Sequence, residues 1–138
     1  MIKKLRKMLK NEDGLTLIEL LVVVVILGII AAIAIPSVGG LIDNSRQDAH
    51  VANAQTMVSS ARLYQASNPD ATSVTLLELQ EGGYIESMED PDGGDYTDAS
   101  SVTFDTNTAG DHTVTLANSD GTIFNGVARS NLSRDEIQ

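Results

Sequence analysis

The sequence predicts an α+β protein: a long N-terminal hydrophobic α-helix followed by a small C-terminal antiparallel β-sheet head. Three observations lead there. An unbroken apolar run lies near the N-terminus, helical spacing of apolar residues continues beyond it, and short alternating stretches bounded by turn residues fill the last third. The 138 residues suit one domain, and a second catalytic lobe would leave too little surface to bury. Without Cys, disulfide scaffolds, thiol nucleophiles and thiolate zinc sites are excluded. Two histidines, His50 and His112, are too few for a His-rich metal centre. They are expected on a helix surface and in a strand respectively.

Residues 1–14 form a basic leader. Lys3, Lys4, Arg6, Lys7 and Lys10 stand against Glu12 and Asp13, a net charge of +3. After Gly14 there are four Arg, no Lys and 17 acids, a net charge of −13. A region so acidic is repelled by phosphate backbones, so no direct contact with nucleic acid is expected.

Residues 15–36 form a candidate membrane span. From Leu17 to Ile35 the one ionisable side chain is Glu19. As a helix this stretch covers about 28 Å, close to the hydrocarbon thickness of a bilayer. Basic residues precede it and none follows until Arg46, which puts the N-terminus in the cytoplasm and the bulk outside. A secretory signal with Ala32-Ile33-Ala34 as its cleavage pattern is one alternative, but the apolar run exceeds the usual h-region and Pro36 follows the cut closely. A plain anchor is another; it leaves unexplained an acid that costs about 2.5–3.5 kcal/mol near the bilayer centre.

Residues 37–68 continue the helix. Leu41, Ile42, Ala49, Ala52, Met57, Val58, Ala61 and Tyr64 are mostly three, four or seven apart, as one helical face requires, and Asn68-Pro69 ends it. Gly28, Pro36, Gly39 and Gly40 weaken the middle of this helix, and Pro36 also removes a backbone donor.

Residues 69–138 form the head. With about 70 residues and no covalent staple it is marginal alone, so it is expected to pack on Met57, Val58, Ala61 and Tyr64. Thr75-Leu76-Leu77-Glu78 reads as a capping box opening a short helix that Gly82-Gly83 closes. Three strands are expected, Ser101–Thr106, His112–Ala117 and Thr122–Ala128. Their apolar positions are Val102, Phe104, Val114, Leu116 and Ile123, and Asn118-Ser119-Asp120-Gly121 turns the last two into a hairpin.

The Lys-rich leader, Gly14 and then Leu15-Thr16-Leu17-Ile18-Glu19-Leu20-Leu21 resemble the class III leader of type IV prepilins and of the pseudopilins of type II secretion and competence machines. Gly28 and Pro36 fall where that family places helix-softening residues. Leu15 departs from it, since Phe or Met is more usual there. The segment Gly82-Gly83-Tyr84-Ile85 to Tyr96 is similar to a turn of the pseudopilins.

The resemblance implies cleavage after Gly14 by a membrane peptidase that then N-methylates Leu15, leaving 124 residues. It also implies pairing of Glu19 with the new amine of a neighbouring copy. Expected partners are copies of itself in a helical filament, the prepilin peptidase and methyltransferase, a membrane assembly platform with its ATPase, and membrane lipid before assembly. In similar pilins the stretch around Gly28 and Pro36 melts within the fibre; a kink in the span is the alternative.

Adhesion and motility, DNA uptake and protein secretion all use this leader, and the machine stays open. The acids Asp90, Asp92, Asp95 and Asp98 offer oxygens to calcium, as in related secretion pseudopilins, but the spacing is not an EF-hand and a solvated acidic turn is the preferred reading. No metal, cofactor or catalytic residue is assigned, since neither a Gly-x-Ser-x-Gly elbow nor a phosphate loop occurs. A membrane-anchored or secreted ligand-binding domain that never polymerises is the alternative function.

Overall fold

A computed structural model describes residues 1–105 and 111–138, with side chains outside 8–13. Helix α1 runs Ile2–Ser67, then strand β1 Ser73–Thr75, helix α2 Leu76–Glu81, and strands β2 Ser101–Thr103, β3 Thr113–Asn118 and β4 Gly121–Ala128. Two single-turn 3-10 helices, Arg129–Asn131 and Arg134–Glu136, close the chain. The contacts divide it into two units, Met1–Ile42 and Asp43–Gln138.

In the first unit the chain is helical throughout, interrupted in its hydrogen bonding only by Pro36, and among the described residues the apolar side chains from Leu15 onward meet no core. Each Leu, Ile and Val from Leu15 to Ile42 is between 46% and 72% exposed. Fully burying one such side chain is worth about 1.5–3 kcal/mol. Leaving so many of them wet forfeits an amount comparable to the whole stability of a small domain, about 5–15 kcal/mol. Water is not the solvent for this segment.

In the second unit the outer part of α1 supplies one wall of the core. His50, Ala54, Met57, Val58 and Ala61 are buried, spaced by four, three, one and three as one helical face demands. Met57, Val58 and Ala61 are the expected core positions, and Tyr64 packs partly buried beside them. Ala52 is exposed instead, and Ala54 takes the inward place; Leu41 and Ile42, expected on the same face, fall in the first unit and are exposed. The helix ends at Ser67, where the Asn68 N–H still bonds to the Tyr64 carbonyl (2.9 Å) and Pro69 has no N–H to continue.

The sheet is antiparallel with strands in chain order β1-β2-β3-β4. The expected three strands gain a fourth, Ser73–Thr75, too short for alternation to reveal it. Val74 pairs with Val102, Val102 with Val114 and Val114 with Val127, one row across the sheet. The first three are fully or almost fully buried. β2 is shorter than expected, and Thr106, the predicted end, lies outside the described residues. His112 precedes β3 rather than opening it.

β4 departs from simple alternation. Val114 faces Val127 and Leu116 faces Phe124, so three steps on β4 match two on β3; a second shift follows between Leu116 and Ala117. These bulges let Ile123 and Phe124 both turn inward. Phe124, absent from the predicted apolar set, is among the largest fully buried side chains. The first bulge is accommodated at Gly126, whose φ of 62° favours glycine and whose N–H donates to Thr115 Oγ1 (3.1 Å).

Candidate functional site

In the first unit Gly14 and Leu15 are adjacent in α1 and Glu19 follows about one turn later. Leu15 is 57% exposed and Glu19 is exposed. A separation of four residues puts Leu15 and Glu19 on one face, about one turn apart. Among the described residues the Glu19 carboxylate has no hydrogen-bond or ion-pair partner. The segment Gly14–Ser67 contains a stretch long and apolar enough to cross a membrane, and Glu19 sits near its start. An acid placed there needs a cation from elsewhere or access to water.

Gly28 and Pro36 are both inside α1. Nothing lies within 4 Å of where a Cβ on Gly28, Gly39 or Gly40 would stand, so packing within the chain does not demand glycine at these positions. Pro36 leaves the Ala32 carbonyl without its usual helical donor, and the helix nevertheless continues through it.

The second unit holds a polar cluster that the sequence reading did not assemble. His50, expected on the helix surface, is only 3% exposed; the turn at Asp90–Gly94 folds over it. That turn is closed by the Gly93 N–H on the Asp90 carbonyl (2.9 Å) and the Asp90 N–H on the Gly94 carbonyl (3.1 Å). Gly93 and Gly94 have φ of 107° and 100°, a backbone that side chains resist.

His50 Nε2 lies 2.9 Å from Asp92 Oδ2 and 3.7 Å from Asp90 Oδ1. Its Nδ1 lies 2.9 Å from the Tyr96 hydroxyl, which accepts from Asn53 Nδ2 at 2.9 Å. Burial pushes the Tyr96 phenol up to about 12; the Asn53 bond opposes this, and the charges of Asp90 and Asp92 add to it. Asp90 is buried and held by Asn118 Nδ2 at 2.7 Å and the Asp92 N–H at 3.0 Å. Of the four acids considered for a cation, Asp90 and Asp92 converge with His50; Asp95 and Asp98 are exposed and stand outside that group.

Nearby, Arg134 clamps Asp48 with two bonds of 2.5 Å, and its guanidinium holds the Asp48 carboxyl below the usual range. His112 is buried edge-on to Phe104, with ring centroids 5.2 Å apart. Among the described residues its Nδ1 has no hydrogen-bond partner, and burial, with Arg62, holds its pKa down.

A basic leader, a Gly–Leu junction, an exposed apolar helix bearing one acid, and an antiparallel sheet built on that helix's outer part define a pilin-like subunit. Residues 9–35 match the prokaryotic N-terminal methylation motif. The chain is 31% identical over 110 residues to the type II secretion system core protein G of Vibrio cholerae serotype O1, covering 69% of this chain and 73% of that protein. The chain belongs to the type IV pilin and pseudopilin family. No solved structure matches it.

Proposed function

We propose that this chain is the repeating subunit of a type II secretion-type pseudopilus. It is made as a single-span membrane precursor with residues 1–14 in the cytoplasm, cleaved after Gly14 and N-methylated at Leu15. It then polymerises through its apolar helix into a filament outside the cytoplasmic membrane. The chain is a substrate of processing and catalyses nothing itself. The observation that carries this reading is an exposed apolar helix with one acid, Glu19, placed one turn after the Gly14–Leu15 junction of a methylation motif. The secretion machine is preferred over adhesion, motility or DNA uptake because the similar protein from Vibrio cholerae is named for it.

The physical logic runs from charge to packing. Glycine at position 14 leaves the scissile carbonyl open to the peptidase carboxylates. Removing the leader takes away its net positive charge, which holds it at the cytoplasmic face. The new α-amino group, with a pKa of about 7.7–8.0, keeps its charge on methylation and pairs with Glu19 of a neighbouring copy. Moving the helix from lipid to a bundle of its twins gains little hydrophobic energy, since both surroundings are apolar. Packing of Val22–Val25 and Ile26, the Glu19 pairing and an ATP-driven assembly platform supply the rest.

Mass spectrometry of the surface-exposed protein tests this directly. Loss of residues 1–14 with gain of one methyl group is expected. A retained leader would mean a membrane anchor, and cleavage after Ala34 a secreted head; either outcome contradicts the proposal.

A further inference from the structure

We propose that His50, Asp90 and Asp92 form a binding site for one divalent transition-metal cation of the zinc type, joining the outer part of α1 to the Asp90–Gly94 turn. This inference is independent of filament assembly. The three donor atoms all lie within 4.8 Å of one another. Ligands about 2.0–2.1 Å from a tetrahedral zinc stand about 3.3 Å apart. His50 Nε2 to Asp92 Oδ2 at 2.9 Å and to Asp90 Oδ1 at 3.7 Å bracket that separation.

The surroundings orient each ligand as metal sites require. Tyr96 fixes the far nitrogen of His50, and Asn53 fixes Tyr96. Asn118 occupies the far oxygen of Asp90. Arg46 lies 3.6 Å from the other oxygen of Asp92, Oδ1, leaving Oδ2 turned to the site.

A proton on His50 Nε2 reaches Asp92 Oδ2 but not Asp90 Oδ1 at 3.7 Å; that oxygen accepts the Asp92 N–H and keeps a second lone pair, which a cation between the three would take up. A cavity of about 360 Å³, lined by His50, Asp92, Arg46, Asn118 and Asp120 among others, adjoins the cluster. It gives access for the ion and room for water to complete its shell. A buried imidazole donor favours zinc over calcium, which takes oxygen ligands.

The test uses the untagged full chain in detergent, stripped with chelator and dialysed against zinc chloride or calcium chloride. One zinc per chain is expected, with a melting temperature that rises with free zinc and no comparable rise with calcium. His50→Gln should lose the zinc and the shift. Because His50 is buried, Asp92→Asn provides a second variant: its side chain is 37% exposed, the fold should survive, and zinc affinity should fall at least tenfold. Absence of stoichiometric zinc in the parent chain, zinc retained equally by both variants, or preferential uptake of calcium would overturn the proposal.

Discussion

Glu19 carries the heaviest demand on a single residue. Its carboxylate sits exposed on an apolar helix, and an acid deep in a bilayer costs about 2.5–3.5 kcal/mol, less near the edge. Replacing it with valine removes that cost and, on the proposed assembly, also the partner for the liberated amine. Glu19→Val is expected to insert and to be cleaved like the parent, but to leave no filaments in a sheared surface fraction; normal filament yield would refute the pairing. His112 makes a different prediction at the same scale. Its pKa is held down by burial and by Arg62 and Arg129, against Asp105 and Asp111. The unfolded chain therefore takes up a proton at about pH 6.5 before the folded chain does. Stability owed to the neutral ring is complete above that pH and is lost as pH falls toward the lower folded value. Denaturant melts across pH 7 to 5 should show a shallower decline for His112→Gln than for the parent, and equal slopes would contradict the assignment.

Among the elements, those whose signals are local were legible in the sequence. Thr75 caps α2 as read: its hydroxyl accepts from the Glu78 N–H (3.2 Å), and the Glu78 carboxylate accepts from the Thr75 N–H (2.8 Å). Thr75→Ala should cost about 1 kcal/mol in equilibrium unfolding. The stop at Asn68-Pro69 and the turn into Gly121 were equally plain, because each depends on backbone chemistry within a few residues. What depended on partners distant in sequence was not legible. β1 is three residues long and exists because Val74 pairs with Val102. Phe124 turns inward only because bulges displace β4 against β3, whereas alternation through Ile123 would face it outward. Its burial at 0% exposure predicts that Phe124→Ala destabilises the protein by about 3–5 kcal/mol, readable as a lower denaturant midpoint. His50 was misplaced for the same reason: the turn that covers it begins forty residues later in the chain, and polarity alone suggested solvent.

At the scale of the whole molecule, two kinds of surface share one chain. The second unit buries Met57, Leu79, Val102, Leu116 and Phe124 among others in a core made by α1, α2 and the sheet, leaving Leu63 and Leu77 exposed. The first unit leaves its own uncovered, in a composition that only lipid or other apolar helices can solvate. The leader motif and the apolar run were therefore the most legible part of the sequence, since their meaning lies in composition and order rather than in tertiary contacts. The candidate metal cluster was the least legible, because it joins a helix residue to a distant turn. Gly28, Gly39 and Gly40 have open space where a side chain would stand, which suits close approach of a neighbouring helix.

The central claim, that copies of this helix leave lipid to stack against one another, is most directly tested by cysteine crosslinking, because the chain has no Cys of its own. Pairs of cysteines placed between residues 22 and 30, and oxidised in cells carrying the complete secretion machine, link only those helices whose Cα atoms come within about 7 Å. The account predicts, for at least one pair, a ladder of covalent multimers beyond the dimer in cleaved protein, and its loss when Glu19→Val is added. Cleaved protein that stays monomeric with every pair, or a ladder indifferent to Glu19, would contradict it.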